Sequence, residues 1–308
     1  MVFLGAEVLA RKITLRLSWQ KGEVRAAETK TPSLPLISLL KDKPFFEAPK
    51  ILSLLHPLSP KTHEMAAWAA ISAARGEKHL LSPHDLLAFF RESVREHGFY
   101  LFAALPEALG LLPEKPLLLA MQKTTLAKDT PDLAHDFLAF LEKEVLGAAP
   151  ALFRSSGGSA PWGSFAGSLF SRLEEKVKIP WQLCLLSSWV KKRLLSLAGL
   201  PLFLEESHRP LLKSFGQEGW GIAGIRGARG IVIHQARVRE NRILGYSLDT
   251  PTSRHFSSDG PWARGLLQKS FASPEEACGF AMLWARVLDP CMEFEIQTCT
   301  KQDLPRGF

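Results

Sequence analysis

Between residues 35 and 200 apolar side chains recur every third or fourth position, and on either side of that stretch they recur every second position. A helix returns to the same face every third or fourth residue and a strand every second, so this change of period dictates helices in the middle and short sheets at the ends. The run KITLRLSW (12–19) alternates, and so does EVRAAE after Gln20-Lys21-Gly22, which together read as a β-hairpin. Pro60 opens a helix through KTHEMAAWAAISAAR that Gly76 stops, and Ser82-Pro83-His84-Asp85 starts the next one, LLAFFRESVREHGFYLFAAL, with a cap and a first-turn proline. PDLAHDFLAFLEKEVLG and WQLCLLSSWVKKRLLSLAG are further amphipathic helices, with a flexible loop, SSGGSAPWGS (155–164), between them. After Gly216, GIVIHQARVRENRILGYSL gives two alternating strands about a turn at Glu240-Asn241. DGPWARGLLQKSF and SPEEACGFAMLWARVL follow as helices, the second with Ser273, Pro274 and Glu276 as a capping box. The expectation is one domain over residues 1–308, α+β but mostly α: a helix bundle with small antiparallel β-hairpins near both ends.

Several classes of function drop out on composition. A hydrophobic fraction of 46% with 22% charged residues belongs to a globular chain with a real core, not to a disordered one. No stretch approaches the roughly 18 apolar residues that a membrane span needs. The N-terminal MVFLGAEVLARK lacks a basic leader and a cleavage site, so the chain is expected in the cytoplasm. Net charge is +7, but lysine and arginine are spread along the chain and no RNP, zinc-finger or basic-zipper pattern occurs. Nucleic acid is therefore not the expected partner, and an acidic protein fits the charge better. GWGIAGIRGARG is glycine-rich but neither follows a strand nor opens a helix, which argues against dinucleotide binding.

Four cysteines, Cys184, Cys278, Cys291 and Cys299, form no C-x-x-C pair and no disulfide framework. Cys184 and Cys278 lie in helical runs and are expected to be buried apolar thiols, as Trp68, Trp262 and Trp284 are expected in the core. Cys291 differs. It stands in Asp289-Pro290-Cys291, a run that invites a metal reading, yet Phe294 and Gln297 occupy the places where a second cysteine and a histidine would complete a metal motif.

The order of these pieces resembles the large subunit of nickel–iron (NiFe) hydrogenases over nearly the whole chain. In that family the N-terminal hairpin and a helical segment lead to R-x-C-G-x-C-P-x-x-H. Pro60 and His63 fall on its proline and histidine, while His56 and Ser59 fall on its two cysteines. The later P-R-G with a histidine five residues after the arginine is matched by Arg229-Gly230 and His234, and the V-P-[ST]-T-W-N region in part by Pro251-Thr252. The final D-P-C-x-x-C-x-x-H keeps Asp289, Pro290 and Cys291. The acid of the family's early I-E-G-H motif, expected near Leu9–Lys12, is absent.

The resemblance implies that the two thiolates bridging nickel to iron are replaced by Ser59 and Phe294, and that the terminal nickel thiolates correspond to His56 and Cys291. Nickel in this family sits among soft thiolates, so a stable Ni–Fe centre is not expected. The groups that surround the iron's cyanides are kept at Arg229, Pro251 and Thr252, whose guanidinium and hydroxyl suit a partly negative acceptor. His234, on an alternating strand, is expected to be structural. The expected metal-facing groups are thus Cys291 and His56, with Arg229, Thr252, Pro251 and His63 around them. A hydrogenase-like outline with degraded nickel ligands resembles the HupK/HoxV-type hydrogenase maturation proteins. What that implies is a non-catalytic, cytoplasmic assembly factor holding an Fe(CN)2CO unit transiently. Its partners would be a maturation chaperone, an iron-loading protein and the hydrogenase large-subunit precursor. The alternatives are a divergent, catalytic large subunit and an electron-transfer or structural subunit like the 49 kDa subunit of complex I. With Gln297 in place of the last histidine, the tail Thr298–Phe308 is expected to escape the proteolysis that matures the family's enzymes.

Overall fold

A computed structural model describes residues 12–32, 35–126, 169, 171–175, 177, 179–198 and 212–299. The expected helix at 131–147, the expected loop at 155–164 and the tail beyond 299 lie outside the described residues.

The first hairpin forms as expected, from β1 (Ile13–Gln20) and β2 (Glu23–Lys30), with Lys21 and Gly22 both at positive φ in the turn. A third strand joins it that the sequence pattern did not announce. The last described segment, β7 (Phe294–Cys299), pairs parallel to β1, so the sheet runs β2-β1-β7 and ties the two ends of the described chain together. Its residues FEIQTC alternate over too short a length to be told from a loop.

The middle is helical: α1 (Leu36–Leu40), α2 (Ala48–Leu55), α3 (Pro60–Ala74), α4 (Pro83–Phe99), α5 (Leu105–Ala108), α6 (Lys115–Leu126) and α7 (Pro180–Ala198). Ser82 and Asp85 form the capping box that starts α4. A π-helical turn, Tyr100–Ala104, carries α4 into α5.

The second sheet is larger than the expected hairpin. It has four antiparallel strands in sequence order: β3 (Leu212–Gln217), β4 (Trp220–Gly227), β5 (Gly230–Arg239) and β6 (Arg242–Asp249). The glycine-rich GWGIAGIRG is thus itself a strand, preceded by another, and its glycines have a packing purpose. A Cβ on Gly221 would lie 2.1 Å from the Ala70 carbonyl oxygen and 2.4 Å from the Ala74 amide nitrogen, and one on Gly216 would lie 2.0 Å from the Ala73 oxygen. The alanine-rich α3 therefore lies backbone to backbone on β3 and β4, an approach that only a side-chain-free residue permits. Three further helices lead to β7: α8 (Pro251–His255), α9 (Pro261–Leu266) and α10 (Pro274–Leu288). Ser273 accepts from the Glu276 amide at the start of α10, and Asp289 ends that helix in the left-handed region at φ 51°.

The largest buried cluster unites Ile13, Leu15 and Leu17 of β1 with α4, α7, α9 and α10 around Trp262 and Trp284. A second joins α1, α2 and α3 to the four-stranded sheet. Trp68 is only half-buried, edge-on to Phe45. Cys184 is exposed, contrary to expectation. The buried stripe of α7 runs through Leu186, Val190, Leu194 and Leu197, and a residue two places before Leu186 points to the opposite face. No described helix is long and apolar enough to cross a membrane.

Candidate functional site

The expected site residues come from four separate parts of the chain, and the fold brings them into one neighbourhood in two groups. The first group is built on the turn between β4 and β5. A Cβ on Gly230 (φ 135°) would meet Pro251 at 3.3 Å, so the glycine lets the Arg229-Gly230 turn close onto the start of α8. Thr252, 2% exposed on that helix, accepts a hydrogen bond of 3.1 Å from the Cys291 amide. Accepting this bond does not use the Thr252 hydroxyl hydrogen. Asp289, Pro290 and Cys291 are thereby fastened to Pro251 and Thr252.

Arg229 is the hub of this group. Its Nη1 donates to Glu96 on α4, and its Nε lies 3.2 Å from Asp289 Oδ2 without hydrogen-bond alignment. Asp289 also accepts from Arg193 of α7 at 2.8 Å, and Arg193 in turn sits over the Tyr100 ring. Burial opposes the charge on Arg229, but Asp289, Glu96 and Cys291 outweigh it and raise its pKa. The same pair affects Glu96 differently. Burial lifts its pKa from 4.5 to about 7, against the pull of Arg229 and with the help of Glu92 and Asp289.

The second group is a run of histidines. The rings of His56, which follows α2, and His63, in the first turns of α3, stack with centroids 3.8 Å apart and planes 10° from parallel. His63 Nδ1 lies 3.1 Å from His234 Nε2 on β5, and His234 Nδ1 lies 2.6 Å from the Tyr246 hydroxyl on β6. His234 is fully buried and His63 is 3% exposed. Burial lowers the pKa of His56 to about 4 and that of His234 to about 3, and holds His63 well below its ordinary value. His56 Nε2 is enclosed without a partner among the described residues. Arg229 acts electrostatically on His63, which links the two groups.

Glu92 fixes the remaining piece. Ser59 is the N-cap of α3, but its side chain makes no capping bond. The Glu92 carboxylate of α4 replaces it, accepting from the amides of Lys61 (2.5 Å) and Thr62 (2.9 Å) and from the Thr62 hydroxyl (2.5 Å). The start of α3, with Ser59 and His63, is thus docked on α4.

These residues do not fit a nickel–iron centre. Ser59 offers a hydroxyl where a thiolate would be needed, and Phe294 is a strand residue paired with Ile13 whose ring packs on the main core. Among the described residues no group of three or more His, Cys, Asp or Glu side chains is arranged to hold a metal ion. One soft ligand, Cys291, remains, its amide held by the buried Thr252 hydroxyl.

Glu92, Glu96, Arg193 and Tyr246 were not anticipated from the sequence, and His234, expected to be structural, is fully buried between His63 and Tyr246. A signal for two of them was present. Glu92, Ser93, Glu96 and His97 fall three or four residues apart inside a helix whose other inward positions are Phe89, Phe90 and Val94, and a buried polar stripe of that kind asks for partners.

No protein-family model matches the chain, and no curated protein matches it in sequence. Its fold is that of NiFe hydrogenase large subunits. The likeness extends to an NAD+-reducing NiFe hydrogenase in the H2-reduced state, at 14% identity and TM-score 0.53, covering 88% of this chain and 93% of that one. The Ni-Fe-Se hydrogenase of D. vulgaris Hildenborough gives 11% and 0.57, covering 89% and 94%. The Ni-Fe-Se hydrogenase of Desulfomicrobium baculatum gives 10% and 0.56, covering 89% and 95%.

Proposed function

We propose that the protein is a non-catalytic member of the large-subunit fold that serves hydrogenase maturation, in the manner of HupK/HoxV-type proteins. It would hold an Fe(CN)2CO unit as cargo before transfer to the true large subunit. The observation that carries this reading is the Cys291 amide bonded to Thr252 at 3.1 Å, with Arg229 paired to Asp289 two residues before the cysteine. A single thiolate can bind iron, and a guanidinium and a hydroxyl are suited to the nitrogen ends of iron-bound cyanides. Ser59 and Phe294, in contrast, remove the two bridging ligands that would retain nickel. One anchoring thiolate suits a cargo that must leave again, and the four thiolates of an enzyme would not let it go. The partners of such a scaffold are the maturation chaperone and iron-loading protein that deliver the unit, and the large-subunit precursor that receives it.

The test compares two cysteines. In protein purified from cells that express the maturation machinery, Cys291→Ala should abolish the infrared bands of metal-bound CO and CN. Cys184→Ala, on the exposed face of α7, should leave them intact. Equal loss in both variants, or bands that survive Cys291→Ala, would remove Cys291 as the anchor.

A further inference from the structure

We propose that the outward face of the β3–β6 sheet, turned away from α3, docks an acidic protein partner that lays an apolar side chain over Gly224. Successive strand residues point to opposite faces, and directly paired antiparallel residues point to the same one. Gly216 pairs with Gly221, and both lie against α3. Their neighbours Phe215 and Ile222 pair on the other side, which they share with Trp220 of β4 and Ile231 and Ile233 of β5. None of these five belongs to the three buried clusters. Phe215 is 62% exposed and Ile231 46%, and the Phe215 and Trp220 rings meet edge-on at 6.5 Å. An apolar patch of this kind on the uncovered face of an antiparallel sheet marks an interaction surface.

Gly224 lies in the middle of this face, paired with Lys213 and Ile233, and nothing inside the described chain calls for a glycine there. It has no positive φ, and a Cβ would meet Ile231 at 3.6 Å and Ile233 at 3.9 Å, ordinary van der Waals distances. Gly216 and Gly221, in contrast, are pressed onto α3. A glycine inside a strand costs backbone entropy and packs nothing, and it commonly marks a place that another chain approaches. The side chain missing at Gly224 leaves a hollow beside Ile231 and Ile233 that a partner's side chain can fill.

Charge sets the partner's chemistry. The four strands carry five cations, Lys213, Arg226, Arg237, Arg239 and Arg242, and one acid, Asp249, which Arg254 already holds at 2.6 Å. Arg239 lies 3.4 Å from Glu240, and Arg242 donates to the Asp42 carbonyl. Lys213, Arg226 and Arg237 have no ion-pair partner among the described residues, and their register with Gly224, Ile231 and Trp220 turns all three outward. Carboxylates on a partner answer them. A second copy docked through the same face would set these cations against their own kind. A bilayer is met by protruding apolar side chains, not by a hollow among them. The face also borders the site: Ile231 follows the Arg229-Gly230 turn, and its carbonyl accepts from Arg254 of α8, the helix that carries Thr252. Under the function proposed above the partner is a maturation protein. That identity rests on the proposed function, and the face does not.

The test places photoreactive benzoylphenylalanine at Gln235, between Ile222 and Ser247 on the outward face, in the full-length chain in hydrogenase-producing cells. Mass spectrometry should identify the adduct as one acidic protein, and salt should weaken the purified complex. In variants whose urea midpoints match wild type, the adduct should fall roughly tenfold or more with Gly224→Leu and with Lys213→Glu, Arg226→Glu and Arg237→Glu combined. Gly224→Ala should leave the midpoint of the chain alone unchanged or raise it. No adduct, or one with lipid, with a second copy or with a basic protein, overturns the proposal. So does an adduct indifferent to both variants, or a destabilised Gly224→Ala chain, whose glycine would then serve the fold. An acidic partner with no part in hydrogenase maturation would leave the face standing and count against the proposed function. Infrared bands of bound CO and CN without an adduct would do the reverse.

Discussion

Replacing Glu96 by glutamine should remove a specific pH dependence of stability. Glu96 lies on α4 against Arg229, and burial lifts its pKa from 4.5 to about 7. Below pH 4.5 the carboxyl is protonated in the folded and unfolded chains alike and its titration affects neither. Between pH 4.5 and about 7 the unfolded chain releases the proton while the folded chain keeps it, so stability falls as pH rises through this window. At about 1.4 kcal/mol per pH unit, the gap corresponds to a loss of about 3 kcal/mol by neutral pH. Glutamine keeps an oxygen for Arg229 Nη1 and cannot titrate. Urea denaturation of both proteins at pH 5 and pH 8 measures the effect. The difference between Glu96→Gln and wild type isolates this carboxyl from the buried histidines, whose lowered pKa values act in the opposite direction. The variant should gain about 3 kcal/mol relative to wild type from pH 5 to pH 8. A flat difference would mean that Glu96 does not titrate in this range. A difference of opposite sign would mean that Arg229 keeps it ionised and stabilising, and would refute the claim that burial outweighs the pair.

Two further outcomes test the fold and the site. Gly221→Ala should destabilise by about 3 kcal/mol, since its Cβ must fit 2.1 Å from the Ala70 oxygen, while Gly279→Ala, in a helix with nothing within 4 Å, should gain up to about 1 kcal/mol; equal effects in denaturant titrations would disprove the backbone contact of α3 on β4. Arg229→Leu should move the cyanide infrared bands more than the carbonyl band in protein that still holds its cargo, because the cyanides accept the hydrogen bonds, and unmoved bands would exclude Arg229 from the site.

Much of the fold was legible because period and punctuation agreed. Pro60 and Gly76 bound α3, Ser82 and Asp85 start α4, and Lys21-Gly22 turns the first hairpin. β3 and β4 were not legible, because Gly216 and Gly221, which serve the close packing of α3, break the alternation that announces a strand. β7 escaped because it is held by pairing with β1 at the far end of the chain, a contact that no local pattern encodes. The site divided in the same way. Arg229, Pro251, Thr252 and Cys291 could be placed together from their motifs, and the structure brings them into contact through Gly230 and the Thr252–Cys291 bond. Their support could not be read, because Glu96, Arg193 and Tyr246 act through positions far away in sequence, and a lone histidine on a strand, His234, gave no sign that it bridges His63 to Tyr246.

The central claim is that this chain carries an iron fragment and not a nickel–iron centre. The most direct measurement is infrared spectroscopy joined to metal analysis of the wild-type protein purified from hydrogenase-producing cells. The account predicts bands of metal-bound CO and CN, iron without stoichiometric nickel, and no hydrogen-dependent dye reduction. About one nickel per chain with hydrogen oxidation, or iron-free protein with no such bands under those conditions, would contradict it.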